Sequence, residues 1–199
     1  MTAPMTPDQE KTALDDTRRW LQRAVIGLNL CPFAKSVEVN QRLRTVVSPA
    51  RTAEDLLKDL ARELLALNRA DPDETETTLL VHPWVLNDFL DFNDFLGAAD
   101  ALVEDLDLDG VLQVASFHPD YQFEGTEADD VDNFSNRSPY PTLHLLREDS
   151  IERAVETMPD TDAIYEANID TLRRIGRKGW EALDLEAKLP LAQRVSREE

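Results

Sequence analysis

The chain has 199 residues, of which 42% are hydrophobic, 40 are acidic and 21 are basic, and its formal net charge is −19. This length and apolar content predict one domain with a sizeable core, and the negative charge disfavours a nucleic-acid partner because it repels phosphate backbones. The only cysteine, Cys31, excludes an intramolecular disulfide and favours a reducing compartment, so we expect a cytoplasmic protein.

The N-terminal region predicts a long helix. Thr6 and Gln9 form a capping box around Pro7, which suits the first turn of a helix because its missing N–H group would have no partner there. Glycine favours a helix end, so we expect the helix to run to about Ile26 and to stop at Gly27.

Further along the chain, short runs of strand-forming residues alternate with helical patterns. Helical crossovers between the first three strands would make these strands parallel, with right-handed connections. In chain order, the predicted elements are a loop at 28–33, a strand at 43–48, a helix capped by Thr52 with Asp55, a strand at 77–81, a helix at 91–106, a strand at 111–117, a long loop at 120–140, a strand at 142–147 and helices at 149–158 and 160–175.

This order of elements predicts an α/β fold. We expect a small, mostly parallel sheet of about four strands, with helices packed on it and further helices at both ends of the chain. Residues 1–199 would form one domain, with a core at about 6–186 and a flexible tail at 187–199. The longest uncharged, mainly apolar run, at 24–34, is far shorter than the roughly 20 residues that span a bilayer, so no membrane partner is expected. Residues 1–8 lack the features of a signal peptide.

The three histidines are candidate metal ligands. His82 and His118 each end a predicted strand and precede a proline. If the fourth strand pairs antiparallel beside the third, His144 approaches the same edge of the sheet. Three histidines suit a catalytic zinc site, and two histidines with a carboxylate suit non-haem iron. The prediction is therefore a divalent metal such as zinc or iron, with Asp120 as a fourth ligand or general base.

Each histidine also has a structural interpretation. His82 and His118 would end their strands and bond through the imidazole to a neighbouring backbone group, while the following proline stops the ladder. His144 stands between Leu143 and Leu145, so it would lie on the less buried face of an alternating strand.

Cys31 is a candidate catalytic nucleophile, provided that a histidine deprotonates it. However, it follows the end of a helix, where the negative end of the dipole disfavours a thiolate. Its neighbours Leu28, Leu30 and Phe33 are apolar. The alternative is therefore a buried, unreactive cysteine.

The loop at 120–141 is a candidate lid or binding loop, because connections of more than roughly 12–15 residues without regular structure are uncommon in compact domains. Asn136, Arg137, Ser138 and, in the next strand, Arg147 are rich in hydrogen-bond donors and would bind the carboxylate or phosphate of a small anionic molecule. Alternatively, Arg137 neutralises the acidic residues of its own loop.

Two functions follow from these patterns, and both stay open at this point. The first is an enzyme that uses metal-assisted hydrolysis or related chemistry on a small anionic molecule at the histidine-rich edge of the sheet, beneath the 120–141 loop. The second is a non-catalytic binding or interaction module in which the histidines are structural. Oligomeric state has no signal in the sequence.

Four long motifs resemble a bacterial family that is known only as a domain of unknown function. They lie at 26–33, 82–96, 113–123 and 136–151, and the resemblance extends over about 20–180. It implies a single-domain bacterial protein. It implies no activity, cofactor or catalytic residue, so the site predictions rest on the residues alone.

Overall fold

A mixed sheet of four strands forms the centre of the protein, in a computed structural model that describes residues 4–157 and 161–190. The strands are β1 (Leu43–Val47), β2 (Thr77–Val81), β3 (Leu112–Phe117) and β4 (Thr142–Arg147). Their spatial order is β1-β2-β4-β3. β1 and β2 are parallel, whereas β4 is antiparallel to both of its neighbours.

The predicted α/β fold with four strands is confirmed, but the sheet is only partly parallel. β1, β2 and β3 run in the same direction, as the helical crossovers predict. β4 returns from the end of β3 and inserts between β3 and β2, so that just one pair of adjacent strands is parallel. Its Leu143 and Leu145 are fully buried, and a central position in the sheet provides that burial.

Helices cover both faces of the sheet. The predicted caps are confirmed, since Thr6 with Gln9 and Thr52 with Asp55 make the expected backbone hydrogen bonds. The helices are α1 (Pro7–Trp20), which continues as a π-helix (Leu21–Ile26), α2 (Ala34–Val39), α3 (Ala53–Arg69), α4 (Phe89–Asp105), a 3-10 helix (Val131–Asn136), α5 (Glu148–Thr157) and α6 (Thr161–Glu181).

Two of these elements, α2 and the 3-10 helix, have no counterpart in the sequence prediction, and the last part of the helix predicted to end at Ile26 is π-helical rather than α-helical. The predicted end of a helix at Gly176 is confirmed, since this glycine has non-helical angles, φ 60° and ψ −175°. A second helical segment follows this kink within α6 and continues to Glu181. The predicted junction at 158–160 lies outside the described residues.

The two faces of the sheet have separate cores. Leu80, Leu143 and Leu145 pack with α3 and α4, and we call this side the α4 face. On the other side, Leu79 and Phe117 pack with Trp20 at the end of α1, and we call this side the α1 face. None of the described helices is both long enough and apolar enough to cross a membrane.

A buried hydrogen-bond cluster ties the C-terminal segment to α1. The carboxylate of Asp16 accepts from the Tyr140 hydroxyl at 2.6 Å, from the backbone N–H of Lys188 at 2.8 Å and from Arg19 at 2.8 Å. The Tyr140 hydroxyl accepts in turn from the backbone N–H of Leu189 at 3.1 Å. The first residues of the predicted tail at 187–199 are thus packed, while 191–199 lie outside the described residues.

Candidate ligand-binding site

The three histidines occupy two different faces of the sheet. Val81 and Phe117 both pair with the first residue of β4, which places His82 and His118 at one end of the sheet. Both rings lie on the α4 face, with centroids 5.7 and 5.1 Å from that of Phe92.

His144 does not join the other two histidines. It pairs with Leu79 and Ala115, two residues in from that end. Because Leu143 and Leu145 point to the α4 face, alternation along the strand places His144 on the α1 face. The expected convergence of three imidazoles is therefore not met. Among the described residues, no group of three or more His, Cys, Asp or Glu side chains is arranged to hold a metal ion.

His82 and His118 are buried and hydrogen-bonded to the backbone. Nδ1 of His82 lies 3.0 Å from the carbonyl oxygen of Val85, and Nε2 of His118 lies 3.2 Å from that of Leu86. A carbonyl can only accept, so each of these nitrogens carries the hydrogen. Nδ1 of His118 accepts from the backbone N–H of Asp120 at 3.0 Å. Both imidazoles thus hold the turn after β2, where Leu86 adopts a left-handed φ of 57°.

The predicted anion-binding donors also bond to the backbone. Asn136 donates to the carbonyl of Ser116 at 3.4 Å, and the hydroxyl of Ser138 donates to that of Tyr140 at 2.6 Å. Arg137 donates to the carbonyls of residues 121 and 128, at 3.3 and 2.5 Å. Burial lowers the pKa of Arg137, and the nearby carboxylate of Asp120 opposes that shift. These contacts anchor the loop.

The loop at 120–141 is folded, and Asn133 organises it. The side chain of Asn133 is fully buried; its oxygen accepts from the N–H of Phe123 and the hydroxyl of Thr126, and its amide donates to the carbonyl of Glu127. These three bonds are 2.8 to 2.9 Å long. Sequence reasoning missed this residue, because a single asparagine in a polar loop has no distinguishing pattern.

A cavity of about 410 Å³ lies on the α1 face, between the sheet, the π-helix, α2 and α5. Its walls are mostly apolar. They include Trp20, Val25, Leu79, Phe117, Leu146 and Ile151.

The π-helix that forms one wall of the cavity depends on Gly27. A Cβ atom at this position would lie 2.3 Å from the carbonyl oxygen of Arg23, which is far inside van der Waals contact. The sequence pattern correctly marks Gly27 as the end of a helix. It has no signal for the wider winding of the preceding turn.

Three residues singled out in the sequence for different roles line this cavity: Cys31, His144 and Arg147. Cys31 is partly exposed. The Nη2 atom of Arg147 donates to three backbone carbonyls, of Leu67, Ala70 and Thr75, at 2.6, 2.8 and 3.2 Å. The guanidinium of Arg147 thus holds the end of α3.

His144 contributes a polar ring to the cavity, whose lining also includes Ser36, Thr77 and Ser150. Its Nε2 lies 2.7 Å from the hydroxyl oxygen of Thr77, and that hydroxyl donates to the carbonyl of Leu145 at 2.6 Å. Burial lowers the pKa of His144 to about 4, so the imidazole is neutral at pH 7. Sequence reasoning missed Thr77, because the strand that contains it is predicted to be buried along its whole length.

Residues 12–182 match the family model described as Protein of unknown function (DUF1415). The chain belongs to this family. The resemblance drawn from the four motifs is thereby confirmed, and the DUF1415 match contains the whole sheet and every residue that lines the cavity. No curated protein and no solved structure matches the chain.

The lowered pKa values of two histidines predict how the stability of this DUF1415 protein depends on pH. Burial lowers the pKa of His82 to about 3 and that of His144 to about 4, below the ordinary value of 6.5. Between pH 6.5 and about 4 the unfolded chain therefore binds protons that the folded chain does not. Above pH 6.5 the two histidines do not reduce the free energy of unfolding. Below pH 6.5, each of them should lower it by up to about 1.4 kcal/mol for every pH unit.

Urea unfolding at pH 7.5, 6.0 and 5.0 measures this dependence. The variant His144→Phe should lose less stability between pH 6.0 and 5.0 than the original protein, because one of the two titrating imidazoles is gone. Equal losses in the two proteins would contradict the assignment of a lowered pKa to His144.

Proposed function

We propose that the protein binds a small, largely apolar molecule in the cavity on the α1 face. The observation that carries this proposal is the cavity itself, at about 410 Å³. Sites for small molecules usually measure about 300–1,000 Å³ and are lined mainly by apolar side chains. The largely apolar lining favours an apolar occupant, because removal of apolar surface from water is favourable.

The winding of the π-helix supports the same site. π-helical turns are rare in proteins, but those that occur frequently lie at functional sites, because they persist only where the surrounding structure stabilises them. Leu21 and Val25 of this segment face the cavity, and the close approach at Gly27 ties the sequence to this winding.

The proposal is binding rather than metal-assisted hydrolysis at the edge of the sheet. His82 and His118 are both fully buried, and their imidazoles bond to the backbone of neighbouring turns. A metal ligand must reach its ion, and a general base must reach its substrate. Because these two imidazoles are buried and bond to the backbone, the structural interpretation is favoured.

Cys31 provides a built-in reporter of occupancy, because it is the only cysteine and lines the cavity. We expect 4-butylphenol to slow the alkylation of Cys31 by N-ethylmaleimide, as measured by intact-protein mass spectrometry. At ten times the dissociation constant, the rate should fall about tenfold, in proportion to the fraction of free protein.

One phenylalanine substitution tests the location of the binding site, and a second one is its control. Ala154→Phe, on α5 in the cavity wall, should fill the space and abolish the protection by 4-butylphenol. Ala98→Phe, at an exposed position on α4, should leave the protection unchanged. If saturating 4-butylphenol fails to protect the original protein, or protects the Ala154→Phe variant equally, the cavity is not the binding site.

A further inference from the structure

We infer that the molecule bound in the cavity is uncharged and donates a hydrogen bond to Nδ1 of His144, as an alcohol, a phenol or a primary amide does. This inference rests on the proposed function and adds the chemical class of the ligand. It follows from the hydrogen bonds of His144 and from the charges around the cavity.

The hydroxyl of Thr77 has a single hydrogen. That hydrogen goes to the carbonyl oxygen of Leu145, 2.6 Å away, because a carbonyl can only accept. The contact of 2.7 Å between the Thr77 oxygen and Nε2 of His144 is therefore an N–H···O bond in which the imidazole donates. Thr77 thus selects the tautomer of His144 that carries its hydrogen on Nε2.

The other nitrogen of the ring, Nδ1, has the opposite hydrogen-bonding role. In a neutral imidazole with hydrogen on Nε2, Nδ1 has a lone pair and can only accept. The hydrogen bonds that the described residues make with this ring use Nε2. Since His144 lines the cavity, Nδ1 is the acceptor that remains for a bound molecule, and its natural partner is an O–H or N–H group.

The charges around the cavity also restrict the class of ligand. Within the described part of the chain, the charged residues that line the cavity are Arg42, Glu76 and Arg147. Arg42 forms an ion pair with Glu76 at 3.0 Å, and Arg147 is held by backbone carbonyls. Glu76 and two aspartates, Asp71 and Asp149, also lie near Arg147 and raise its pKa, although burial lowers it more strongly.

These charges leave little attraction for an ionic ligand. An ion in an apolar cavity needs an opposite charge. Arg42 and Glu76 pair with each other and Arg147 bonds to the backbone, although one buried side-chain atom of each has no hydrogen-bond partner among the described residues. The formal net charge of −19 further disfavours an anion. The anionic molecule predicted from the sequence is therefore disfavoured, because the guanidinium of Arg147, which was expected to bind it, is bonded to the end of α3.

Three probes of similar size test the inference through protection of Cys31 from N-ethylmaleimide at pH 7. 4-Butylphenol is neutral and has a donor, 4-butylanisole has a methyl group in place of that donor, and 4-butylbenzoate is an anion. We expect 4-butylphenol to bind about fivefold to tenfold more tightly than 4-butylanisole, the usual effect of one hydrogen bond. 4-Butylbenzoate should bind more weakly than both.

Variants assign the preference to the imidazole. In His144→Phe the ratio between 4-butylphenol and 4-butylanisole should fall to about one, while the binding of 4-butylanisole persists. Leu146→Met, a change of similar volume elsewhere in the wall, should keep the original ratio. Thr77→Val is a second variant: it removes the hydroxyl that selects the tautomer, so the ratio should decrease.

The outcomes separate this inference from the proposed function. Equal binding of 4-butylphenol and 4-butylanisole, or preference for 4-butylbenzoate, would overturn the inference and leave the cavity as a binding site. An unchanged ratio in His144→Phe would overturn the role of His144. Failure of all three probes to protect Cys31 would overturn the proposed function itself.

Discussion

Replacement of Asp16 by alanine is expected to lower the free energy of unfolding by about 3–5 kcal/mol, the usual cost when one partner of a buried charged cluster is removed. The Asp16 carboxylate is fully buried and accepts from Tyr140, Arg19 and the backbone of Lys188. Asp16→Ala would leave all three donors without this acceptor, and it would weaken the attachment of the C-terminal segment, which Arg19 of α1 also bonds at Asp184 and Glu186.

The neighbouring residue is the matched control for Asp16→Ala. Asp15 lies on the exposed side of the same helix and pairs with Lys11 at 2.8 Å. Asp15→Ala should change stability little, because an exposed ion pair is screened by water. Urea unfolding followed by circular dichroism measures both variants. Equal stability losses in the two would show that the buried cluster does not stabilise the fold.

The second large effect is expected for His118→Ala, which should lower the free energy of unfolding by about 3–4 kcal/mol. The ring of His118 lies 5.4 and 5.1 Å from the rings of Phe89 and Phe92. Its removal would leave a space between these side chains. The carbonyl of Leu86 and the backbone N–H of Asp120 would also lose their partner.

His144→Ala is the informative comparison for His118→Ala. The side chain of His144 borders an existing cavity, and the Thr77 hydroxyl keeps its bond to the carbonyl of Leu145 after the change. We expect a stability loss of at most about 1.5 kcal/mol for this variant. A larger loss for His144→Ala than for His118→Ala would contradict the division into one structural histidine and one cavity histidine.

The hydrogen bonds of Arg137 and Arg147 bear on the class of ligand. Arg137 and Arg147 are the donors that the sequence marks for an anion, yet each bonds to backbone carbonyls of a neighbouring segment. Carbonyl oxygens at helix ends and in loops lack partners within their own segment, and a guanidinium can satisfy several of them at once. Charge and donor count in a sequence therefore do not distinguish an anion site from a structural anchor.

Several elements could be predicted from the sequence because their signals are local. β2 and β4 have the predicted bounds, 77–81 and 142–147. The caps at Thr6 and Thr52 form as their spacing indicates. The signals in these cases are alternation, side-chain capping and proline or glycine at a terminus, all of which act within a few residues.

The site could be predicted only in part. His144 stands between two leucines, so the sequence indicates that it faces away from them. The pairing of β4 with both β2 and β3 decides that His82 and His118 lie on the face of those leucines. A change of one residue in register reverses the face of every side chain in a strand, and register depends on contacts between distant parts of the chain.

The sequence by itself determined the membership of the family, the alternation of helices and strands, and the residues with reactive or donor groups. The tertiary structure alone decided that Cys31, His144 and Arg147 share a cavity, and that the imidazoles of His82 and His118 bond to backbone carbonyls. The physical reason is that a cavity is bounded by segments far apart in sequence, here from Trp20 to Val155. Its shape depends on how the helices pack across the sheet, and no local pattern encodes that packing.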